Sequence, residues 1–167
     1  MQRKMRNTLA AVVALAVTGC AVPHGTSPKG LEGPIEKAAV RFAADTRAER
    51  YKVVTTAELK QWLDQNKPMT IISALPAEEN AAFGKLPGAV NGAIPKTEAE
   101  VTPADKDRII AAAGPDKART IVVYCGFVAC RRSHIGASIL AEAGYTNVYR
   151  YPAGITGWGE MKYPLHK

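Results

Sequence analysis

The chain has 167 residues, of which 47% are apolar and 22% are charged, a composition that excludes a disordered or fibrous protein and fits one folded domain. Its net charge of +7 falls to about +4 when Arg3, Lys4 and Arg6 are set aside as part of a targeting segment. The remaining basic residues are scattered and no aromatic residues are interleaved with them. The sequence therefore does not predict a nucleic-acid partner.

The first residues have the three parts of a bacterial export signal. A basic start is followed by an apolar run, Leu9 to Val17, that is too short to span a bilayer, and then by Val17-Thr18-Gly19-Cys20. These four residues resemble the bacterial lipobox, in which the cysteine is lipidated and becomes the first residue of the mature protein. We therefore predict a signal peptide over residues 1–19 and a lipid anchor on Cys20. An ordinary cleaved signal peptide is the alternative.

The lipid anchor implies a location in the cell envelope, attached to a membrane and facing the periplasm. Ala21 follows the anchored cysteine where an acidic residue would act as a retention signal, which favours the inner leaflet of the outer membrane. Residues 20–33 are rich in Pro, Gly and Ser, so we predict a flexible tether there. Residues 34–52 are predicted to form a helical extension, because Pro34 suits a first helical turn and apolar residues follow at helical spacing.

Residues 53–167 are predicted to form the domain. Strand and helix patterns alternate along it, which is typical of an α/β protein with a mostly parallel sheet. Thr55-Thr56-Ala57-Glu58 is a capping box that opens a helix, and Thr102-Pro103 opens another. The other predicted elements are strands at Thr70–Leu75, Ile121–Tyr124 and Asn147–Tyr151 and helices at Ala77–Phe83 and Ser133–Ala143.

Cys125 stands where the buried strand Ile121–Tyr124 meets a basic loop. Parallel sheets bind ligands at the carboxyl ends of their strands, and a helix that begins near Ser133 would point its free N–H groups at the sulfur. Arg131 and Arg132 add positive charge. We therefore expect a thiol of lowered pKa that acts as a nucleophile, with a buried structural cysteine as the alternative.

The run from Thr120 to Trp158 resembles the C-terminal half of a rhodanese domain, whose pattern is a strand, C-x-x-G-x-R-S, a helix ending in L-x-E-x-G, a strand with N-V, and G-G-x-x-x-W. The loop most resembles a bacterial subgroup with C-G-F-x-x-C-x-R-S-H. The resemblance implies a three-layer α/β/α fold with a mostly parallel central sheet of about five strands, preceded here by the N-terminal helix.

The resemblance also implies a sulfurtransferase of the thiosulfate sulfurtransferase type. In that chemistry Cys125 accepts a sulfane sulfur from a small anion of the thiosulfate or polysulfide type as a persulfide, and passes it to a thiol or another thiophile. No cofactor is predicted. The residues that the resemblance assigns to the substrate-binding loop are Gly126, Phe127, Val128, Ala129, Cys130, Arg131, Arg132 and Ser133.

The sequence departs from the family pattern at two loops. The loop after Cys125 is two residues longer than usual, and Ser73-Ala74-Leu75 stands where the family has a D-x-R-like arrangement. The missing arginine would weaken anion recruitment or shift the substrate, and the missing aspartate removes an anchor for neighbouring loops. Lys85 replaces a histidine of the family and is interpreted as a solvated loop residue.

Cys130 has three interpretations in an oxidising compartment. It could be a resolving thiol that takes over or releases the sulfur. It could instead form a disulfide with Cys125 that blocks the site, or it could be a loop residue without a chemical role. A metal site formed by these two cysteines and His134 is not predicted, because only three ligands are present and their spacing is not a common zinc pattern. His134 could otherwise act as an acid or base, although a histidine without a partner is more often inert.

Two other functions remain open from the sequence. The spacing from Cys125 to Arg131 also satisfies the C-x₅-R pattern of cysteine phosphatases and arsenate reductases, some of which share the rhodanese fold. Tyr124 stands where those enzymes usually have histidine, and no general-acid aspartate follows the loop. The other alternative is a non-catalytic persulfide carrier or interaction module.

Overall fold

The structure is a computed structural model that describes residues 32–48 and 50–167. The predicted signal peptide, the lipid anchor at Cys20 and the tether up to residue 31 lie outside the described residues. In the part of the chain that is described, no helix is both long enough and apolar enough to cross a membrane.

Five parallel strands form one sheet in the order β1-β5-β4-β2-β3, with helices on both faces. Both faces of such a sheet are covered, so its central strands are apolar throughout. Every residue of the central strand β4 is buried, in agreement with the apolar run in the sequence. The predicted α/β fold and mostly parallel sheet are confirmed. The strands are β1 (Lys52–Val53), β2 (Met69–Ser73), β3 (Val90–Asn91), β4 (Thr120–Tyr124) and β5 (Val148–Tyr151).

The helices begin where the sequence provides caps. The side chains of Thr55 and Thr102 each accept a hydrogen bond from the third residue of the helix that follows. The capping box predicted at Thr55 is present, and Thr102 forms a second one with Asp105. A short 3-10 turn, Glu98–Glu100, precedes α4. The helices are α1 (Glu32–Ala48), α2 (Thr56–Asp64), α3 (Ala77–Phe83), α4 (Pro103–Ala113), α5 (Arg132–Glu142) and α6 (Gly154–Glu160).

Strand β2 ends earlier than the sequence pattern predicts. The apolar run continues to Leu75, but the hydroxyl of Ser73 accepts a hydrogen bond from the backbone N–H of Leu75, at 3.4 Å, and turns the chain out of the sheet. Pro76 then provides the N-cap of α3. The loop that replaces the family's D-x-R arrangement is therefore a short turn rather than a continuation of the strand.

Helix α1 contacts the rest of the domain mainly through charge. None of its residues is fully buried, and Ile35, which the sequence pattern places on an apolar face, is 46% exposed. Near its C-terminal end, Asp45 forms ion pairs with Arg131 and Arg150. The ring of Phe42 lies 5.2 Å from the guanidinium of the same Arg150. The helix is thus attached directly over the loop that follows β4.

Candidate functional site

Cys125 follows β4 directly, as predicted, and lies beneath the loop rather than in the open. Its side chain is only 1% exposed. The sulfur is 3.3 Å from the carbonyl oxygen of Cys130 and 3.1 Å from the hydroxyl of Ser133. The backbone N–H of Ser133, in the first turn of α5, also donates to this sulfur. The expected orientation of the helix start toward the sulfur is therefore observed.

The N-terminus of α6 fixes the strand side of the loop. Backbone N–H groups of Ile155 and Thr156 donate to the carbonyl oxygens of Cys125 and Gly126, at 2.9 and 3.0 Å. The approach requires glycine at position 154, whose φ is +60° and where a Cβ would lie 2.3 Å from the carbonyl oxygen of Cys125. Helix α6 thus satisfies backbone acceptors that the end of β4 leaves unpaired.

Cys130 lies on the outer part of the loop and is partly exposed. A turn closes behind it, because its backbone N–H donates to the carbonyl of Phe127 at 2.9 Å. Its sulfur accepts hydrogen bonds from the backbone N–H groups of Gly126 and Arg132 and from the thiol of Cys125. The loop amides are therefore aimed at Cys130 as much as at Cys125.

The two thiols form one coupled acid. The hydrogen bond from Cys125, together with the backbone donors, lowers the pKa of Cys130 to about 5. Burial raises the pKa of Cys125 well above its usual range, and the neighbouring Cys130 raises it further. Burial thus opposes the ready ionisation of Cys125 that the sequence predicts. The helix start does supply N–H donors, but loss of water outweighs them at a sulfur that is almost fully enclosed.

Arg150 is a functional-site residue that the sequence analysis missed. It belongs to β5, and its side chain is 1% exposed. Its guanidinium donates to the carbonyl oxygens of Val128 and Cys130, at 3.1 and 3.4 Å, and to the hydroxyl of Ser133 at 3.2 Å. One side chain therefore fixes both the loop and the start of α5. An arginine inside the otherwise apolar strand Val148–Tyr151 was the available signal, because a buried arginine requires partners.

Arg131 and Arg132 both form ion pairs with carboxylates and do not extend into open solvent. Arg131 forms ion pairs with Asp45 of α1 and Glu98 of the 3-10 turn. Arg132 donates from Nε to the carbonyl of Ile94 at 3.0 Å and pairs with Glu79 of α3 at 3.2 Å. The predicted anion-binding arginines are thus held by acidic residues of the same chain, and the main-chain N–H groups remain as the donors to the sulfurs.

His134 lies within the cluster of charged groups formed with Asp45 and Glu98. Its Nδ1 is 3.0 Å from the hydroxyl of Tyr51 and 3.6 Å from Asp45, and its Nε2 is 3.6 Å from Glu98. The side chain is buried. In the described part of the chain, the structure brings no three potential ligands together for a metal ion.

The loop after β2 is anchored without the family's aspartate. The hydroxyl of Ser73 donates to the side-chain oxygen of Asn80 at 2.7 Å, and the Asn80 amide donates to the carbonyl of Leu75 at 3.0 Å. Both polar residues are buried. The main chain of Lys85 forms an isolated antiparallel β-bridge with His166. Ser73 and Asn80 therefore provide the loop anchor that the sequence analysis considered lost.

The remaining loop residues face outward. Phe127 and Val128 are 54% and 38% exposed. Phe127 borders an apolar cleft of about 530 Å³ whose other walls include Leu75, Phe83 and Ile155. Of the predicted binding-loop residues, the structure therefore brings Cys130, Ser133 and the amides of Gly126 and Arg132 around the sulfurs. Phe127, Val128 and Ala129 form the outer surface of the turn.

Comparisons with known proteins agree with this fold. The solved polysulfide-sulfur transferase homodimer of Wolinella succinogenes is 19% identical, with a TM-score of 0.54 over 82% of this chain and 90% of that chain. A rhodanese-related protein of Thermoplasma volcanium is 23% identical, with a TM-score of 0.51 over 69% and 97%. A human single-domain sulfurtransferase is 26% identical, with a TM-score of 0.48 over 65% and 95%. A search of curated proteins found no significant match.

The family comparison covers the site as well as the sheet. The family model named rhodanese-like domain matches residues 55–161. This range contains all the helices from α2 to α6, the strands from β2 to β5 and the whole loop from Cys125 to Ser133. Since the match spans well over half of the sequence, the chain belongs to the rhodanese-like domain family.

Proposed function

We propose that this protein is a sulfurtransferase of the cell envelope. A loop thiol takes a sulfane sulfur from a small anionic donor, Cys125 holds that sulfur as a persulfide, and a thiol or another thiophile accepts it. The observation that carries the proposal is the arrangement around the two sulfurs, where backbone N–H groups of Gly126, Arg132 and Ser133 converge on the thiol pair.

This arrangement suits persulfide chemistry because a persulfide is an anion at neutral pH. Preorganised N–H donors stabilise charge that develops on a sulfur without any rearrangement of the loop. The donor leaves behind a stable anion, such as sulfite from thiosulfate, so the reaction needs no general acid. The proposal therefore assigns no acid or base role to His134.

A polysulfide-type donor is supported by the cleft next to the loop. Leu75, Phe83, Phe127 and Ile155 give it apolar walls, and Gly126, the neighbour of Cys125 in the sequence, also lines it. A sulfur chain is polarizable and weakly hydrated between its charged ends, so an apolar wall favours it over a compact oxyanion. The similar fold from Wolinella succinogenes is named as a polysulfide-sulfur transferase, which is consistent with this donor class.

The phosphatase alternative is weaker. In a C-x₅-R phosphatase the arginine must be available to hold the phosphate oxyanions beside the nucleophile. Here Arg131 is held by Asp45 and Glu98, and Cys125 is enclosed. A phosphate group would have to displace two carboxylates and expose the sulfur. Hydrolysis of an aryl phosphate by the purified protein would restore this alternative.

The proposed location rests on the N-terminal sequence alone. We propose that Cys20 carries the lipid and that the protein faces the periplasm at the inner leaflet of the outer membrane. The test is fractionation of cells that produce the full-length chain or the Cys20→Ala variant. We expect the parent in the outer-membrane fraction and the variant outside it, and an unchanged distribution would contradict the lipid anchor.

The function itself is tested by sulfur loading of the purified full-length protein. After treatment with thiosulfate or polysulfide, we expect a mass gain of about 32 Da, which is one sulfur atom, in non-reduced protein. The control is the double variant Cys125→Ser/Cys130→Ser, which retains Cys20, measures any sulfur taken up outside the loop and should gain less than the parent. Equal loading of parent and control would contradict the proposal. Loading without thiocyanate production from cyanide would indicate the carrier rather than the enzyme.

A further inference from the structure

The two thiols of the loop differ in access to solvent. Cys125 is enclosed by β4, α5 and the loop and is 1% exposed, whereas Cys130 is partly exposed. A donor anion approaching from solvent therefore meets the sulfur of Cys130 first. Reaching Cys125 directly would require the turn that Cys130 closes with Phe127 to open.

The two thiols also differ in readiness to react. The thiolate is the nucleophilic form of cysteine, and the hydrogen bonds to Cys130 lower its pKa to about 5. The surrounding donors therefore favour the thiolate at Cys130, whereas burial favours the protonated form of Cys125. Access to solvent and the lowered pKa thus both favour Cys130 as the thiol that reacts with the donor.

Resting on the proposed function, we propose that Cys130 takes the sulfur from the donor and hands it to Cys125, so that the loop is a two-thiol relay. The second step joins neighbouring groups, because the two thiols share a hydrogen bond and the sulfur of Cys125 also lies 3.3 Å from the carbonyl oxygen of Cys130. Arg150 holds the carbonyl oxygens of Val128 and Cys130 and thereby fixes the position of the outer thiol relative to the inner one.

The relay consists of two displacements. In the first, the thiolate of Cys130 attacks the sulfane sulfur of the donor, and the donor's sulfur–sulfur bond breaks with its electron pair leaving on the remaining anion, sulfite in the case of thiosulfate. In the second, the sulfur of Cys125 attacks the terminal sulfur on Cys130, the sulfur–sulfur bond of the Cys130 persulfide breaks with its electron pair staying on Cys130, and the proton of Cys125 passes to Cys130. Cys130 ends as a thiol and Cys125 as a persulfide anion, so no oxidant or reductant is required.

The relay gives the buried position a role. A persulfide on exposed Cys130 is open to any thiol, which can attack it and release sulfide. A persulfide on Cys125 is enclosed, and the backbone N–H and hydroxyl of Ser133 lie beside its inner sulfur. The relay thus combines a reactive outer residue with a protected inner one.

The experiment follows the rate and position of sulfur loading in parent protein, Cys130→Ser and Cys125→Ser, with polysulfide as donor and mass spectrometry at timed intervals. Both cysteines lie in the peptide Thr120–Arg131, in which fragment ions distinguish them. We expect the parent's sulfur on Cys125, loading of Cys130→Ser at least about tenfold slower, and rapid loading of Cys125→Ser on Cys130. Cys130→Ala is a second variant, and urea denaturation checks the folding of each.

Several results would overturn the relay. Loading of Cys130→Ser and Cys130→Ala at the parent rate would show that Cys125 accepts sulfur directly, and the proposed function would survive. Sulfur that stays on Cys130 in the parent would likewise overturn the relay and leave the proposed function intact. Formation of a disulfide between the two cysteines, detected as sulfide release and a mass loss of about 2 Da, would show attack on the wrong sulfur. Absence of loading in every protein would overturn the function and the relay together.

Discussion

The two cysteines of the loop stand five positions apart and have opposite surroundings. Cys125 continues the central strand and is enclosed by the core, whereas Cys130 lies on the outer turn, partly exposed, with main-chain N–H groups aimed at its sulfur. Both are close to the start of α5, but only Cys130 is made acidic. Proximity to a helix N-terminus therefore does not decide which thiol ionises, because the loss of water at the buried sulfur outweighs it.

The two sides of the loop also differ in what holds them. The strand side, at Cys125 and Gly126, is fixed by main-chain hydrogen bonds from α6. The outer side, from Val128 to Ser133, is held largely by side chains, among which the buried Arg150 contacts Val128, Cys130 and Ser133. A relay requires that the two thiols keep their relative positions. Removal of either the α6 contacts or Arg150 should therefore disturb sulfur loading.

The largest effect is expected from Arg150→Met. The change leaves Asp45 without one of its cationic partners and two loop carbonyls without a donor, and truncation of a buried charge pair typically costs about 3–5 kcal/mol. We expect the free energy of unfolding in urea to fall by that amount and sulfur loading to slow. Arg119→Met is the control, because Arg119 is exposed, and its loss should be below about 1 kcal/mol. Equal losses would contradict the anchoring role.

The next effect concerns the strand side and is tested by Gly154→Ala. A Cβ there would lie 2.3 Å from the carbonyl oxygen of Cys125, so α6 must move away from the loop, at a cost of about 2–4 kcal/mol in unfolding free energy. Gly88→Ala is a matched control, because its φ of +71° is also positive but no atom lies within 4 Å of a Cβ. It should lose only about 1 kcal/mol. Similar losses in the two variants would show that backbone conformation alone matters at Gly154.

The sequence was informative wherever local rules decide the structure. The apolar run Ile121–Tyr124 predicted a buried central strand, and the threonines at 55 and 102 predicted the starts of two helices. These features depend on neighbouring residues, and the structure confirms them. The position of Cys125 at the strand end followed from the same local pattern.

The parts that the sequence did not predict depend on distant partners. Asp45 pairs with Arg131 from 86 positions away, so no local pattern could show that the loop arginine is engaged by a carboxylate. The order of the two thiol pKa values depends on which sulfur is enclosed, and that is set by packing of α5 and the loop. Arg150 is different, because its place in an apolar strand was visible and its partners were not.

The difference in acidity between the thiols gives a smaller effect that can be measured by alkylation. Above a pH of about 5 Cys130 is a thiolate, so its rate of reaction with iodoacetamide should be constant near neutral pH and fall as the pH drops through its pKa of about 5. In Cys125→Ala the hydrogen-bond donor is lost. We expect the midpoint to rise by at least about one unit, toward the ordinary value of about 8.5.

Cys125→Ser is the control for this alkylation experiment. Its hydroxyl can still donate to the sulfur of Cys130, so its midpoint should rise less than that of Cys125→Ala. Peptide mass spectrometry follows Cys130 separately from Cys20, which all the proteins retain. Identical midpoints in the parent and both variants would show that backbone donors alone make Cys130 acidic, and the coupling between the thiols would be refuted.

The smallest effect is expected at the contact that joins the two anchors. The hydroxyl of Ser133 accepts a hydrogen bond from Arg150 and lies 3.1 Å from the sulfur of Cys125. Ser133→Ala leaves a buried N–H of the guanidinium unpaired, so we expect a loss of about 1 kcal/mol in unfolding free energy. Ser138→Ala on the same helix removes only a hydroxyl that donates to the carbonyl of His134, and alanine favours the helix, so the change should be close to zero. A loss at Ser138 as large as at Ser133 would mean that the hydroxyl at the loop has no special role.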